Sequence, residues 1–354
     1  MNMEHYLATS GTASLMLQHR KMSVQQRKEA VDRFLQAKNF TSFKQVEKFS
    51  ENYKLSKELG SGAFGTVKLG MHRATEVPCA IKIIKKKKLA EASVYKDLMM
   101  QELEVLEKTI HPHITRIIEL LEDSRNYYII MELVSGGNLL DMVQEERRFT
   151  ELKAATVMRQ LLLALNFMHN KSITHRDLKP ENLLCEKTDD GSISIKMTDF
   201  GFACYFDPKE KLSLSLGSPL YMAPELCAEV EYDEKVDVWS SGVIMYILLT
   251  GQPPFIGRSK DEIYQNIQEI EPRYNLPSLK QCQPSAVDFL QKCMAKDPAD
   301  RPAVVELLEH EWIQLATQTD GLDASRELDI SANIAAFRKT NAFQSGVLSF
   351  ISNI

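Results

Sequence analysis

His175-Arg176-Asp177-Leu178-Lys179-Pro180-Glu181-Asn182 is the stretch on which the reading of this chain turns. It sets a carboxylate, an ammonium and a carboxamide within six residues. It lies just beyond an amphipathic run in which Ala154, Met158, Leu161, Leu162, Leu165 and Met168 recur at helical spacing, with Thr150 placed to cap that helix. An Asp in such a loop can orient a hydroxyl and accept its proton. A Lys two residues on can balance charge on a transferring group, and an Asn can offer its carbonyl oxygen to Mg²⁺. The competing reading is a polar loop with chance spacing.

Downstream, Asp199-Phe200-Gly201 follows the alternating run Ile193 to Met197. A lone triplet of this kind is more often a turn. After Asn182, the reading as a carboxylate that holds a hard cation against phosphates gains. Ala223-Pro224-Glu225 closes a stretch, 202–222, that carries Ser213, Ser215 and Ser218 and has the length of a functional loop. Glu225 needs a partner if buried, and Arg301 in Asp300-Arg301-Pro302 is the expected one, as a bidentate pair. Asp237 begins an apolar helix. It either caps backbone N–H groups of the 175–182 loop or simply caps its own helix.

Upstream, Gly60-Ser61-Gly62-Ala63-Phe64-Gly65-Thr66-Val67 is a glycine-rich turn that lets backbone N–H groups approach phosphate oxygens. A dinucleotide-binding turn would open a helix at its last glycine, whereas Val67-Lys68-Leu69 continues as a strand. A plain glycine hairpin is the other reading. Lys82 sits in the strand Cys79 to Ile84 and alternates onto the face opposite Ile81 and Ile83. Its expected counter-ion is Glu102, on a helix over 95–108, with Glu104 the near alternative. Further strands are expected at Leu55 and at Tyr127 to Met131, and further helices at Val236 to Leu249 and Ala286 to Met294. The chain thus divides into a small β-rich lobe followed by a larger helical one.

The whole chain has 354 residues, 44% hydrophobic and 26% charged, which suits a soluble globular protein with a sizeable core. A net charge of −5 gives no global drive toward nucleic acid or an anionic membrane. No apolar run reaches the length of a membrane span, and no secretory signal is evident. Six cysteines without a C-x-x-C pair suggest neither zinc nor a disulfide framework, so a reducing, cytoplasmic setting is expected. Residues 1–50 hold eight Lys/Arg against four Asp/Glu and suggest one helix near 24–37.

Taken in order, these motifs resemble the protein-kinase signature set over residues 53–313. The resemblance implies an α+β, two-lobed kinase fold, with a lobe at 53–134, a second at 135–313, and extensions at 1–52 and 314–354. It implies Mg-ATP as phosphoryl donor. Leu59, Gly60, Ser61, Gly62, Ala63, Phe64, Gly65, Val67 and Ala80 would line the nucleotide, Lys82 with Glu102 would meet its α/β-phosphates, and Met131, Glu132 and Val134 would form the adenine-binding hinge. Asn138, Glu181 and Leu184 complete that set. Asp177 looks like the catalytic base, Lys179 its phosphate-neutralising neighbour, and Asn182 and Asp199 the Mg²⁺ ligands. Lys179 and Gly217-Ser218-Pro219 are similar to Ser/Thr rather than Tyr kinases. A pseudokinase scaffold is the alternative, disfavoured because Lys82, Asp177, Asn182 and Asp199 are all present.

Within the family, Tyr246 to Gly251 and Pro253-Pro254-Phe255 resemble the calcium/calmodulin-dependent group. Leu328-Asp329, Phe337-Arg338, Asn341, Val347, Leu348 and Ile351 resemble the autoinhibitory junction of calcium-dependent protein kinases. No EF-hand loop pattern occurs, so direct calcium binding is not expected. Three readings of the tail stand: an inhibitor, a docking helix for a separate calcium sensor such as calmodulin, or a structural helix. Relatives often carry Glu where Asn138 stands, so a preference for substrate arginine would rest on Glu181. Arg176 before Asp177 is an arrangement linked to control by a phosphate on the 202–222 loop, at Ser213 or Ser215, while Cys204 takes the place where a basic helper is common.

Overall fold

The structure is a computed structural model. It describes residues 43–62, 65–91, 93–145, 149–188, 191–207, 209–214, 216–318, 322–323, 327–328, 330 and 332–337. The expected helix near 24–37, Ala63, Phe64 and Ser215 lie outside these residues, as does the tail beyond 337. The chain forms two compact units, one of residues 1–97 and 116–133, the other of 98–115 and 134–354.

The first unit is built on a six-stranded sheet. Its strands are β1 (Lys44–Gln45), β2 (Tyr53–Gly62), β3 (Gly65–His72), β4 (Pro78–Lys85), β5 (Ile117–Glu122) and β6 (Asn126–Glu132), in the order β1-β5-β6-β4-β3-β2. Strand β1 pairs parallel to β5 and every other pair is antiparallel. The unit starts ahead of Tyr53. Phe49, in the short helix α1 (Phe49–Asn52), stacks on Tyr128 at 3.8 Å and on Tyr53 at 5.2 Å. These rings join Cys79, Ile81, Ile118, Leu121 and Ile130 in one buried cluster. Strands β2 and β3 pair down to Gly62↔Gly65, a hairpin, so the helix-opening alternative for the glycine turn is excluded. A Cβ on Gly65 would lie 2.3 Å from the Ile83 carbonyl oxygen, so only glycine lets the hairpin approach β4 this closely.

The second unit is mostly helical. Helix α2 (Lys86–Glu91) still belongs to the first unit; α3 (Ser93–Lys108) lies mostly in the second, followed there by α4 (Leu139–Glu145) and α5 (Glu151–His169). The Thr150 hydroxyl caps α5 by accepting from Lys153 N at 3.2 Å, as its sequence position predicts. Two small two-stranded antiparallel sheets carry the polar loops: β7 (Ile173–Thr174) with β10 (Cys204–Tyr205), and between them in sequence the hairpin of β8 (Leu183–Lys187) with β9 (Ile193–Met197). Next in the chain, α6 (Pro224–Cys227) and α7 (Lys235–Thr250) lead to α8 (Lys260–Glu269) and α9 (Pro284–Cys293).

Helix α7 is buried from Val236 to Thr250, so it is apolar on all sides and forms the centre of the unit. Two of its buried hydroxyls bond back within the helix: Ser241 donates to the Asp237 carbonyl and Thr250 to the Tyr246 carbonyl. Gly251, at φ 75°, ends the helix in the left-handed conformation.

Part of the tail packs on this same unit. Leu328 N donates to the Phe149 carbonyl at 2.9 Å, and Asn333 Nδ2 donates to the Thr250 carbonyl at 2.9 Å. Residues 332–337 are helical, and Leu322, Leu328, Ile330, Ile334 and Phe337 are buried. No helix among the described residues is long and apolar enough to cross a membrane.

Candidate active site

Each unit presents its own set of the expected residues. In the first, antiparallel register decides which side chains share a face, because directly opposed residues point the same way. Lys82 opposes Val67 on β3 and Ile129 on β6, and Ala80 opposes Met131. Val67, Ala80, Lys82 and Met131 therefore lie on one face of the sheet. Cys79, Ile81 and Ile130 fill the core on the other. Gly60 opposes Val67, and Leu59 beside it is 43% exposed. Glu132 Oε1 accepts from Arg116 N at 2.8 Å, which ties the end of β6 to the start of β5.

In the second unit, helix α3 separates the two candidate acids. Glu104 pairs with Lys108 at 3.0 Å on the exposed face. Glu102 is buried. The exposed pair engages Glu104 with Lys108 one turn along its own helix.

The 175–182 loop is held from beneath by Asp237. Its Oδ2 accepts from His169 Nε2, the Thr174 hydroxyl and His175 N, and its Oδ1 accepts from Arg176 N, each at 2.9 Å. Of the two alternatives for Asp237, this is the first: it caps the loop's backbone rather than its own helix. Burial alone would push its carboxyl up, but the hydrogen bond and charge of His169, with help from His175, hold it below the ordinary carboxylate value.

Above that floor, Asp177 is buried and bonded on both oxygens. Lys179 Nζ donates to Oδ2 at 2.7 Å and the Ser218 hydroxyl donates to Oδ1 at 2.8 Å. Lys179 also donates to the Ser218 hydroxyl oxygen at 2.8 Å, closing a three-membered network. Gly217, at φ 128°, makes the approach possible, since a Cβ there would lie 2.9 Å from the Arg176 carbonyl oxygen.

Asn182 Nδ2 donates to the Asp177 carbonyl at 2.8 Å and to Oδ2 at 3.2 Å, so its amide nitrogen is turned toward Asp177. Asp199 follows β9 in a left-handed conformation, φ 60°, with an exposed side chain. A carbonyl oxygen and a carboxylate of this kind are the hard oxygen donors that Mg²⁺ takes. Phe200 is buried against the His175 ring at 5.1 Å, and His175 Nε2 lies 3.3 Å from the Thr198 carbonyl oxygen.

Asn138 does a job that spacing alone did not suggest. Its Oδ1 accepts from Leu140 N at 3.0 Å and Asp141 N at 3.1 Å, so the side chain caps α4. Its backbone bridges to Leu184 on β8, and Val134 nearby in sequence is buried. Cys204 is buried, and burial pushes its thiol up despite the opposing charge of Arg176, which makes it a poor nucleophile. Glu225 and Arg301 form the expected bidentate pair, Nη1–Oε1 at 2.6 Å and Nη2–Oε2 at 2.8 Å.

The sequence reading gave no role to His169, Thr174, Ser218 or Tyr232. All four are fixed by long-range contacts. Only Ser218 carried a signal, its place before Pro219 and the Ala223-Pro224-Glu225 motif.

Comparison with known proteins agrees with this geometry. The protein kinase domain model matches residues 53–313. Calcium-dependent protein kinase 4 of Plasmodium falciparum is 36% identical over 308 residues, which cover 86% of this chain and 58% of that protein. A probable myosin light chain kinase of Dictyostelium discoideum is 34% identical over 270 residues, 76% of this chain and 68% of the relative. The rat serine/threonine-protein kinase ULK3 is 38% identical over 272 residues, 77% of this chain and 57% of the relative. The chain thus spans little more than half the length of several curated relatives that it matches.

Proposed function

The chain belongs to the protein kinase family, and we propose that it transfers the γ-phosphoryl group of Mg-ATP to serine or threonine hydroxyls of proteins. The observation that carries this reading is the Asp177 carboxylate, held between Lys179 and Ser218 on a loop whose backbone is fixed by Asp237.

In this reading Asp177 exchanges its bond to Ser218 for the incoming substrate hydroxyl, orients that oxygen and accepts its proton. Lys179 offsets charge on the phosphoryl group. Backbone N–H groups of the Gly60–Gly65 hairpin and the Lys82 ammonium receive the phosphates, with Glu102 as the counter-ion. Asn182 and Asp199 would hold Mg²⁺, and the metal would supply charge neutralisation for the phosphates. Rate enhancement then comes from positioning and electrostatics rather than covalent chemistry. The rigid floor under the loop suits that demand.

Substrate choice follows from charge. Glu181 is the acid of the 175–182 loop that would meet a basic residue near the target hydroxyl. Asn138 is neutral and committed to capping, so a preference for arginine three residues before the target would rest on Glu181.

For the tail, the buried contacts of residues 322–337 support the structural reading. They occupy Phe149 and Thr250 rather than the 175–182 loop. A calcium sensor such as calmodulin would have to act on residues beyond 337. Six cysteines without a disulfide fit a reducing cytoplasm.

The test is phosphotransfer from Mg-ATP to paired peptides, one with arginine and one with alanine before the target serine. The full chain and an Asp199→Ala version run side by side. Transfer above the Asp199→Ala blank, confined to serine and threonine, is expected. Equal turnover of the two peptides removes the arginine preference. Rates at the blank across several peptides favour the pseudokinase alternative. Ending the chain at Thr319 should lower its melting temperature without a several-fold gain in rate.

A further inference from the structure

The guanidinium of Arg176 is a cation inside the protein, since the residue is 8% exposed. A buried cation needs partners. Here both are neutral: Nε donates to the Phe202 carbonyl at 2.6 Å and Nη1 donates to the Tyr232 hydroxyl oxygen at 3.1 Å. Among the described residues no carboxylate forms an ion pair with it. Tyr232 is itself 2% exposed, and its hydroxyl donates onward to the Leu214 carbonyl at 2.7 Å.

The same tyrosine grips the 202–222 loop a second way. Its N–H and carbonyl exchange two hydrogen bonds with Leu212, each at 2.8 Å. Lys211 and Asp233 form an ion pair at 2.5 Å next to this ladder. Tyr232 thus ties Leu212 by its backbone, and ties Leu214 through a hydroxyl that also receives Arg176. Arg176 adjoins Asp177, and its own N–H sits on Asp237.

We propose that Tyr232 is a positioning residue: its hydroxyl couples the Arg176 guanidinium to the Leu214 carbonyl and holds the 202–222 loop in working register without a phosphate. The proposal rests on the kinase reading above. It follows from a geometric fact. The role that a phosphoserine or phosphothreonine on the loop would play, an acceptor that ties Arg176 to the loop, is filled here by a phenol oxygen and a backbone carbonyl. Ser213, beside Leu214, is exposed and takes no part in the link.

The experiment uses the full chain, treated with phosphatase and checked by mass spectrometry for the absence of phosphate. Wild type, Tyr232→Phe, Arg176→Leu and the double variant are compared for kcat/KM, melting temperature and amide hydrogen exchange resolved along the chain. Tyr232→Phe keeps the ring and removes one oxygen. It should lower kcat/KM about tenfold, leave the melting temperature within a few degrees, and speed exchange mainly in residues 209–217. The double variant should lose no more activity than Arg176→Leu alone, because both changes break one link.

A merely structural tyrosine would instead lower the melting temperature and speed exchange throughout the second unit. Unchanged kcat/KM and unchanged exchange in Tyr232→Phe, or losses that add in the double variant, would overturn the coupling. A phosphate-free wild type that gains tenfold or more on phosphorylation of the loop would overturn the phosphate-free register. If wild type does not exceed the Asp199→Ala blank, the kinase reading fails, and the exchange data still decide whether Tyr232 orders the loop.

Discussion

Asp237 and Glu225 are both buried carboxylates of the second unit, yet their partners differ in kind. Asp237 gathers two side chains and two backbone N–H groups, and the backbone groups belong to the loop that carries Asp177. Glu225 meets one partner, Arg301, whose remaining donors go to the carbonyls of Ala295, Lys235 and Lys296. The first arrangement converts a charge into loop geometry. The second joins the end of the 202–222 loop to a distant turn and uses every N–H of the guanidinium. Buried acids near a site are thus told apart by what they hold: reacting geometry in one case, fold in the other.

The comparison can be broken first at Glu225. Glu225→Ala leaves the Arg301 guanidinium buried without its counter-ion and should cost about 3–5 kcal/mol of stability, read by urea denaturation. The surviving folded fraction should keep kcat within a few-fold of wild type. Replacing both Glu225 and Arg301 by Met should recover most of the loss, since a well-packed apolar pair avoids the desolvation cost. A collapse of kcat in folded Glu225→Ala would erase the distinction between the two acids.

Asp237→Asn tests the other side. The amide can accept but carries no charge, so the N–H groups of His175 and Arg176 lose their strong acceptor. We expect kcat to fall about a hundredfold, which is roughly 2.7 kcal/mol of barrier. Stability should fall less, by about 1–3 kcal/mol. An unchanged kcat would mean that the loop keeps its geometry without this floor.

Acid sharpens the same point. The Asp237 carboxyl lies below its ordinary value of 3.8 in the folded protein. A depressed carboxyl contributes stability that is fully present above the unfolded value and lost as pH falls through the folded one. The melting-temperature gap between wild type and Asp237→Asn should therefore be constant above about pH 5 and shrink below about pH 4. A gap that widens with acid would contradict the sign.

The smallest effect is a control away from both acids. Thr150→Ala removes the cap of α5 and should cost about 1 kcal/mol of stability with no change in kcat.

Much of this was legible in the sequence because its signals are local. The glycine hairpin followed by a strand, the alternation that turns Lys82 away from Ile81, the cap at Thr150 and the pairing of Glu225 with Arg301 rest on spacing or on one unmet charge. The floor of the site is different. His169, Thr174 and Tyr232 act through contacts more than fifty residues away in sequence, such as His169 with Asp237 and Tyr232 with Arg176. Neither a histidine ending a helix nor a tyrosine before one carries a periodic mark. Strand β5, Ile-Ile-Glu-Leu-Leu-Glu, gave no signal either, because pairs of apolar residues blur the period-two pattern. Strand β1 is two residues long and lies ahead of the motifs, too short for any alternation to show.

The most direct test of the account compares wild type with Asp177→Asn in two assays: binding of Mg-ATP, and transfer of its γ-phosphoryl group to a serine peptide. The account predicts binding within a few-fold of wild type and transfer reduced by about a hundredfold or more, since proton acceptance and orientation are lost while the nucleotide's own contacts stay. Transfer at the wild-type rate by Asp177→Asn would contradict the assignment of Asp177 as the base.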